Sequence, residues 1–310
     1  MSAKQLPLFP ADGEALLTRR SPLADALGPF QHYLRQEGRS PHTISAFTSD
    51  LRLVMEFFGD TTPLSHFTTP TLNRFLEWME QGRGVPCSRK TYARRVTTLK
   101  VFFAYLKATS VLQADPAAAL LQRSGAAPLQ PVLDEGDIQR LLAHTATLRV
   151  AEKPDARPDL LLRLLLDTGI KKSEAMALTR EHIDRTNPDQ PLLVVKHRKP
   201  NAVYRERKIE LDPDWLAVLE EYLEQYTPEN EIFDCTARNL EYVLGDVADA
   251  AGVDGKVSFE TLRWTCMVRD YRRGIAPDVL REKMGLSRIS WRETGDKVAR
   301  LVALQDLDER

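Results

Sequence analysis

Basic side chains recur along one stretch of the chain at a spacing suited to phosphate contact. Between residues 88 and 106, Val96, Leu99 and Phe102 share one face of a predicted helix. The opposite face carries five cations: Arg89, Lys90, Arg94, Arg95 and Lys100. Cations that neutralise phosphates release counterions, and this release drives non-specific affinity for nucleic acid. A solvated helix surface is the alternative explanation of such a charge run.

Two further segments offer anion contacts. A basic loop between two predicted strands contains His197, Arg198 and Lys199, for which a solvated hairpin tip is the alternative. A predicted helix N-terminus carries Ser40, His42 and Thr43. Helix N-termini bind phosphate through their free amide hydrogens, although capping of the helix by Ser40 explains the same pattern.

The charge of the chain differs between its two halves. The formal net charge is only −1, but residues 31–125 hold twelve Lys and Arg against seven Asp and Glu. Residues 126–310 hold 28 Lys and Arg against 34 Asp and Glu. The basic first half suits phosphate contact. The acidic second half argues against tight enclosure of nucleic acid by that half alone.

Several classes of protein are disfavoured by the composition. The cysteines Cys87, Cys235 and Cys266 are odd in number, far apart and without a CxxC motif, so neither a disulfide framework nor a zinc site is expected. No apolar run approaches the roughly 18 residues of a membrane span, and residues 1–20 have no apolar signal core. We expect a cytoplasmic protein without a metal or cofactor.

The first half of the chain is predicted to be helical from residue 22 to residue 121, with four or five helices. Ser40 is the expected N-cap of the second helix, and Pro41 takes the first helical position, where its missing amide hydrogen costs nothing. That helix is expected to run to about Phe58 and to end at Gly59. Two more helices are predicted over residues 69–79 and 88–106.

Small residues and a proline at 124–128 indicate a linker. We therefore predict an N-terminal extension at 1–21, a helical domain at 22–123, a linker at 124–131 and a second domain at 132–310. In the second domain, a leucine-rich buried helix is expected at 160–168, ending at Gly169. Strands are predicted at 191–196 and 205–211, with helices from residue 214 onward.

Separate segments in chain order resemble the tyrosine recombinases of the Xer and phage-integrase type, over roughly residues 25–300. Tyr33-Leu34, Thr43-Ile44 and Asp50-Leu51-Arg52 are similar to that family's core-binding domain, and Thr168-Gly169-Ile170, Ser173-Glu174, Thr261-Leu262-Arg263 and Met284-Gly285 to its catalytic domain. The resemblance implies a mainly α fold. A helical, SAM-like core-binding domain would precede a mixed α-helical catalytic-type domain with a small antiparallel β-sheet, the two forming a clamp around duplex DNA.

The family's chemistry assigns a task to each matching position. Two arginines grip the scissile phosphate, a tyrosine attacks the phosphorus, a hairpin lysine protonates the leaving oxygen, and two histidine-type positions assist. In this chain the corresponding positions hold Lys171, Lys199 or Lys196, Glu260, Arg263, Trp264, Leu286 and, in place of the tyrosine, Gly295. The second arginine, Arg263, is retained, and Lys199 or Lys196 could fill the hairpin lysine position.

These departures predict a pocket that no longer supports cleavage. No tyrosine follows Tyr271, which lies two helical turns beyond Arg263 at a position where the family has an apolar core residue. Glu260 would repel a phosphate. Because Glu260 and Arg263 are three residues apart on one predicted helix, we expect Arg263, together with Lys171, to neutralise Glu260.

The sequence thus favours a DNA-binding relative of this family that does not cleave or rejoin DNA and acts as a regulator, an architectural factor or a partner of an active recombinase. Two alternatives stay open: a recombinase with an unrecognised nucleophile, and a protein-interaction scaffold. Expected partners are double-stranded DNA and, through the acidic tail at 303–310, a second copy or an active recombinase. Residues 279–295, with Gly285 at the turn, also resemble a helix-turn-helix that would present Arg288 and Arg292 to the groove.

Overall fold

The computed structural model of the chain describes residues 16–85, 87–122, 128–196 and 206–308. The chain divides into two compact units, Met1–Pro128 and Leu129–Arg310. Both are mainly helical, and unit 2 also contains a small antiparallel sheet. The predicted fold class is confirmed. None of the helices in the described segments is long and apolar enough to cross a membrane.

Unit 1 contains four α-helices among its described residues, and hydroxyl side chains cap the starts of three of them. Ser40, Thr68 and Ser88 each accept a hydrogen bond from the backbone N–H three residues later. Pro41 takes the first position of the second helix, as predicted, and Gly59 ends it with a φ of 94°. The four helices are α1 (Leu27–Gln36), α2 (Pro41–Phe58), α3 (Thr69–Glu77) and α4 (Arg89–Ala108).

The core of unit 1 is rich in aromatic rings. Phe30 of α1 packs edge-on against Phe102 of α4, with 5.1 Å between ring centroids. Tyr33 stacks on Tyr105 at 4.8 Å. These contacts join the first and last helices, while Leu51 and Val54 of α2 are buried between them and the rest of the cluster. The sequence periodicity of apolar residues therefore matches the buried faces.

Unit 2 is built from eight further α-helices and three strands among the described residues. The strands run in the order β1-β2-β3 and are antiparallel. The helices are α5 (Glu135–Arg149), α6 (Arg157–Thr168), α7 (Lys172–Ala175), α8 (Pro213–Tyr226), α9 (Ala237–Ala250), α10 (Phe259–Arg272), α11 (Pro277–Lys283) and α12 (Arg288–Asp308), and the strands are β1 (Ile183–Asp184), β2 (Leu192–Val195) and β3 (Arg207–Glu210).

Helices α6 and α10 pass through the centre of unit 2 and are buried on almost every side. Gly169 ends α6 in the left-handed conformation, with a φ of 56°. A Cβ atom at this position would lie 2.7 Å from the Met284 side chain and 3.1 Å from Cys266 Sγ. Glycine is thus required both for the turn and for the close approach of three segments.

Candidate functional site

Three segments of unit 2 that resemble the family's catalytic domain meet at Arg263 of α10. Its side chain is 6% exposed. Nη1 donates to the Gly169 carbonyl, and Nη2 donates to the Met284 carbonyl at 2.7 Å. The turn after α6, the middle of α10 and the turn after α11 therefore meet at one guanidinium. Burial lowers the pKa of Arg263, and the nearby Glu174 carboxylate opposes this effect.

The prediction of an ion pair between Glu260 and Arg263 is wrong. Glu260 is exposed in the first turn of α10 and accepts a hydrogen bond from Trp264 Nε1 at 2.9 Å. Arg263 points instead into the core, where two main-chain carbonyls take its hydrogen bonds. The two side chains are three residues apart but point in different directions, because α10 buries Arg263 and exposes Glu260.

A second buried cation, Arg207 of β3, was not found by sequence reasoning. Its Nη1 and Nη2 atoms lie 3.1 Å and 2.9 Å from the two carboxylate oxygens of Glu174, and both side chains are less than a tenth exposed. Nε donates to the Lys283 carbonyl at 2.6 Å. The sequence pattern could have indicated it, because Arg207 lies two residues before the buried Ile209 and so shares its face of the strand.

The Arg207–Glu174 pair fixes the ionisation of its carboxylate. Burial alone would raise the pKa of Glu174, but the hydrogen bonds and charge of Arg207 outweigh it and hold that pKa below its usual value. The backbone N–H of Lys171 also donates to Glu174 Oε2 at 2.9 Å. Lys171, the first arginine position, therefore forms the start of α7 beside this pair.

An open cleft of about 960 Å³ adjoins the pair. Its walls are β3, α11 and the turn that leads into α12. Leu286, Ile275 and Val279 supply apolar surface, and Arg288 lies at the rim. Ser287 contributes a hydroxyl that accepts the Ser290 N–H and so caps α12. No group of His, Cys, Asp or Glu within the described segments is arranged to hold a metal ion.

The predicted basic face of α4 is divided in the structure. Arg89 and Lys90 are exposed in its first turn, and Lys100 is half-buried. Arg94 Nη1 lies 2.6 Å from Asp50 Oδ2, and Arg95 Nε lies 3.6 Å from Asp50 Oδ1. Arg95 is only 11% exposed in its side chain, so it does not lie on the exposed face that the sequence predicted.

Asp50 explains why these two arginines turn inward. Its side chain is 4% exposed and also accepts a hydrogen bond from Thr98 Oγ1 at 2.8 Å. Burial raises the pKa of Asp50, while Thr98 and the two arginines favour its ionised form. A buried carboxylate needs such partners, and the arginines of α4 are the ones within reach.

The remaining predicted contacts of unit 1 lie at the start of α2. Ser40 Oγ accepts the Thr43 N–H at 3.2 Å and lies 3.0 Å from Thr43 Oγ1, so both hydroxyls take part in capping. His42 is exposed beside them. Residues 197–205 lie outside the described segments, including His197, Arg198 and Lys199, and Lys196 is exposed at the end of β2. The choice between Lys196 and Lys199 for the hairpin lysine stays open.

Known proteins match both the sequence and the fold. A family model described as "Phage integrase, N-terminal SAM-like domain" matches residues 27–110. The tyrosine recombinase XerC of Mycobacterium tuberculosis is 35% identical over 162 residues, which cover 51% of this chain and 53% of that protein. XerC of Mycobacterium leprae is 32% identical over 158 residues, 50% of this chain and 52% of that protein.

The chain is similar over about half of its length to tyrosine recombinases of the XerC type, and its residues 27–110 are similar to the N-terminal SAM-like domain of phage integrases.

It spans about half the length of these XerC relatives. Two solved recombinase structures share the fold. The site-specific recombinase XerH bound to a palindromic difH substrate has a TM-score of 0.74 at 16% identity, with 96% of this chain and 100% of that chain covered. A lambda integrase dimer bound to a COC' core site has a TM-score of 0.67 at 14% identity, with 88% and 77% covered.

At the tyrosine position of the family pattern, Gly295 lies inside helix α12. A Cβ atom built there would lie 3.2 Å from Cε2 of Trp291, one turn earlier on the same helix. The indole would have to move by a few tenths of an ångström to accommodate a Cβ atom at this position. Trp264, Leu286 and Trp291 all pack in one apolar cluster with the buried Met284.

The same cluster bears on the helix-turn-helix interpretation of residues 279–295. Helices α11 and α12 do flank a turn in which Gly285 has a φ of 57°. Leu280 and Met284 of this segment, and Val298 farther along α12, are fully buried in one cluster with α10 residues. The segment is thus part of the core of unit 2, and Arg288 and Arg292 are exposed on α12.

Proposed function

We propose that the protein binds duplex DNA without cleaving or rejoining it. The observation that carries this proposal is Gly295, which stands at the nucleophile position of a family whose reaction proceeds through a tyrosine. Trp291 packs against that glycine. Tyr271, the last tyrosine of the sequence, packs beside the apolar cluster of α10 and α12.

The phosphate-binding side of the reaction is changed as well. Stabilising a pentacoordinate phosphate calls for donors aimed at its oxygens. Arg263 donates one N–H from each of its two Nη atoms to a main-chain carbonyl. Lys171 carries charge but lacks the planar fork that binds two oxygens at once. A carboxylate such as Glu260 at about 4 Å from a phosphate oxygen costs about 1 kcal/mol in water and about 4 kcal/mol at an effective dielectric constant of 20.

DNA binding is assigned mainly to unit 1. Residues 31–125 have an excess of five positive charges, since twelve Lys and Arg oppose seven Asp and Glu. The exposed starts of α2 and α4 combine free helix amides with His42, Arg89 and Lys90. Arg94 can join them only by leaving Asp50. The hairpin residues Arg198 and Lys199 remain predicted contacts of unit 2.

The biological role follows from binding without chemistry. A protein that binds DNA at recombination sites without cleaving it acts as a regulator, as an architectural factor or as the inactive partner of a recombinase that cleaves the DNA. Such a role places the protein in the cytoplasm with the nucleoid. A partner could dock on the acidic end of α12.

A salt titration of DNA binding and a nicked substrate test the proposal together. Affinity for duplex DNA should fall steeply and log-linearly with salt concentration, because phosphate contacts release counterions. If the protein does not bind DNA even at low salt, the proposal fails and the alternative of a protein-interaction scaffold is favoured. A nicked duplex, which traps covalent intermediates of active recombinases, should give no protein–DNA adduct. An adduct would establish the enzymatic alternative, and mapping its attachment site would identify the nucleophile.

A further inference from the structure

An open groove between α1 and α2 in unit 1 has an arginine-rich rim. It encloses about 590 Å³ and is lined by both helices. Gln31 of α1 donates to Thr48 Oγ1 of α2 at 3.0 Å, and this bond forms the polar floor. The arginines at its rim are Arg35, Arg39 and Arg52.

The three arginines are placed on both sides of the floor. Arg35 follows Gln31 by one turn of α1, and Arg52 follows Thr48 by one turn of α2. Arg39 lies in the connection just before the α2 cap, Ser40. All three side chains are exposed. None of the three forms an ion pair with a carboxylate among the residues that the structure describes, in contrast to Arg94 and Arg95 of the same unit.

The length and position of the groove indicate what it binds. Pro41 lines one end and Arg52 the other, eleven residues along α2, which corresponds to about 16 Å of helix. One DNA strand carries a charge about every 3.4 Å along the duplex axis, and because the spacing along the winding strand itself is longer, the groove spans at least two consecutive phosphates. The groove also begins at the N-terminus of α2, whose free amides favour anions.

We propose that the α1–α2 groove is a phosphodiester-binding site, in which Arg35, Arg39 and Arg52 hold the backbone of one DNA strand as it leaves the starts of α2 and α4. This inference rests on the proposed DNA binding and extends it to a second surface of unit 1. Arginine suits the task because its planar fork binds two phosphate oxygens at once. The polar floor allows a backbone to approach without burying an unpaired group.

The test uses the full chain with all three arginines changed to glutamine, R35Q/R39Q/R52Q. A matched control removes three exposed cations of unit 1 that lie away from the groove, Arg20, Arg74 and Lys107, also as glutamines. Each lost phosphate contact reduces the slope of log affinity against log salt by about 1. The groove variant should therefore lose about 2 to 3 units of slope and at least tenfold in affinity at about 0.1 M salt, whereas the control loses less than one unit.

The outcomes separate this inference from the proposed function. If the wild-type chain does not bind DNA at all, the proposed function fails. If the wild type binds and the groove variant matches the control, with equal melting temperatures for all three proteins, the groove assignment is overturned. A thermal-shift titration with pyrophosphate distinguishes DNA from a small anion. Stabilisation of the wild type but not of the groove variant, together with an unchanged salt slope, would show a small-anion site instead.

Discussion

Arg263→Ala is the substitution that most clearly separates a structural from a phosphate-binding role of Arg263. In the wild-type structure two charge-assisted hydrogen bonds run from Arg263 to the Gly169 and Met284 carbonyls. Removing them leaves two buried carbonyls without a donor, at about 1–3 kcal/mol each. Because burial already lowers the pKa of Arg263, removal of the desolvated charge offsets part of this loss. We expect a net destabilisation of unit 2 by about 3 kcal/mol.

Differential scanning calorimetry and a gel shift measure the two consequences. For a unit of this size, 1 kcal/mol corresponds to about 2–4 °C, so the transition of unit 2 should fall by roughly 6–12 °C. DNA affinity below that temperature should stay within about twofold of wild type. Arg263→Lys keeps one donor and the charge, so it should show a smaller loss and serves as the second variant if the alanine variant does not fold.

The matched control is Arg292→Ala, an exposed arginine of α12. It should move the transition by no more than about 2 °C, since exposed substitutions change stability by about 0.5 kcal/mol. The reasoning is refuted if Arg263→Ala leaves the transition where it is in the wild type and weakens DNA binding by tenfold or more. That result would mean that the guanidinium faces a phosphate rather than the two carbonyls.

Three further substitutions probe the remaining contacts. Glu174→Gln removes a carboxylate with a lowered pKa, which stabilises the wild type above about pH 4.5 and stops doing so as acid protonates it. The urea midpoint of the variant should therefore vary less between pH 3 and pH 7 than that of the wild type. An equal variation contradicts the ion pair. Asp50→Asn should destabilise unit 1 by about 3 kcal/mol and strengthen DNA binding severalfold by releasing Arg94; unchanged urea unfolding would rule this out. Gly295→Tyr should give no covalent DNA adduct on a nicked duplex, because Trp291 occupies the space beside it, and an adduct would show that the pocket is intact.

Much of the fold was predictable because local signals agreed with the packing. Ser40 and Pro41 marked the start of α2, and Gly59 marked its end. Gly169 ended the buried helix α6 as expected. The two longer strands were predicted on either side of a basic loop, whereas β1 consists of Ile183–Asp184 alone and is too short to show any period.

The candidate site was less predictable because its contacts are long-range. The partners of Arg263 are main-chain carbonyls 94 and 21 residues away, and carbonyls leave no trace in the residue types. Arg207 of β3 and Glu174 of α7 are 33 residues apart in the sequence and meet only in the folded chain. For the same reason Asp50, 44 residues before Arg94, gave no sign that it would hold an arginine of the basic helix.

The central claim, binding without cleavage, is tested most directly by one reaction of the protein with an end-labelled nicked duplex, divided between a native gel and a denaturing gel. An active XerC relative run in parallel shows that the substrate traps covalent intermediates. The account predicts a retarded, salt-sensitive complex on the native gel and only free DNA after denaturation. Labelled DNA that stays attached to this protein under denaturing conditions would contradict it.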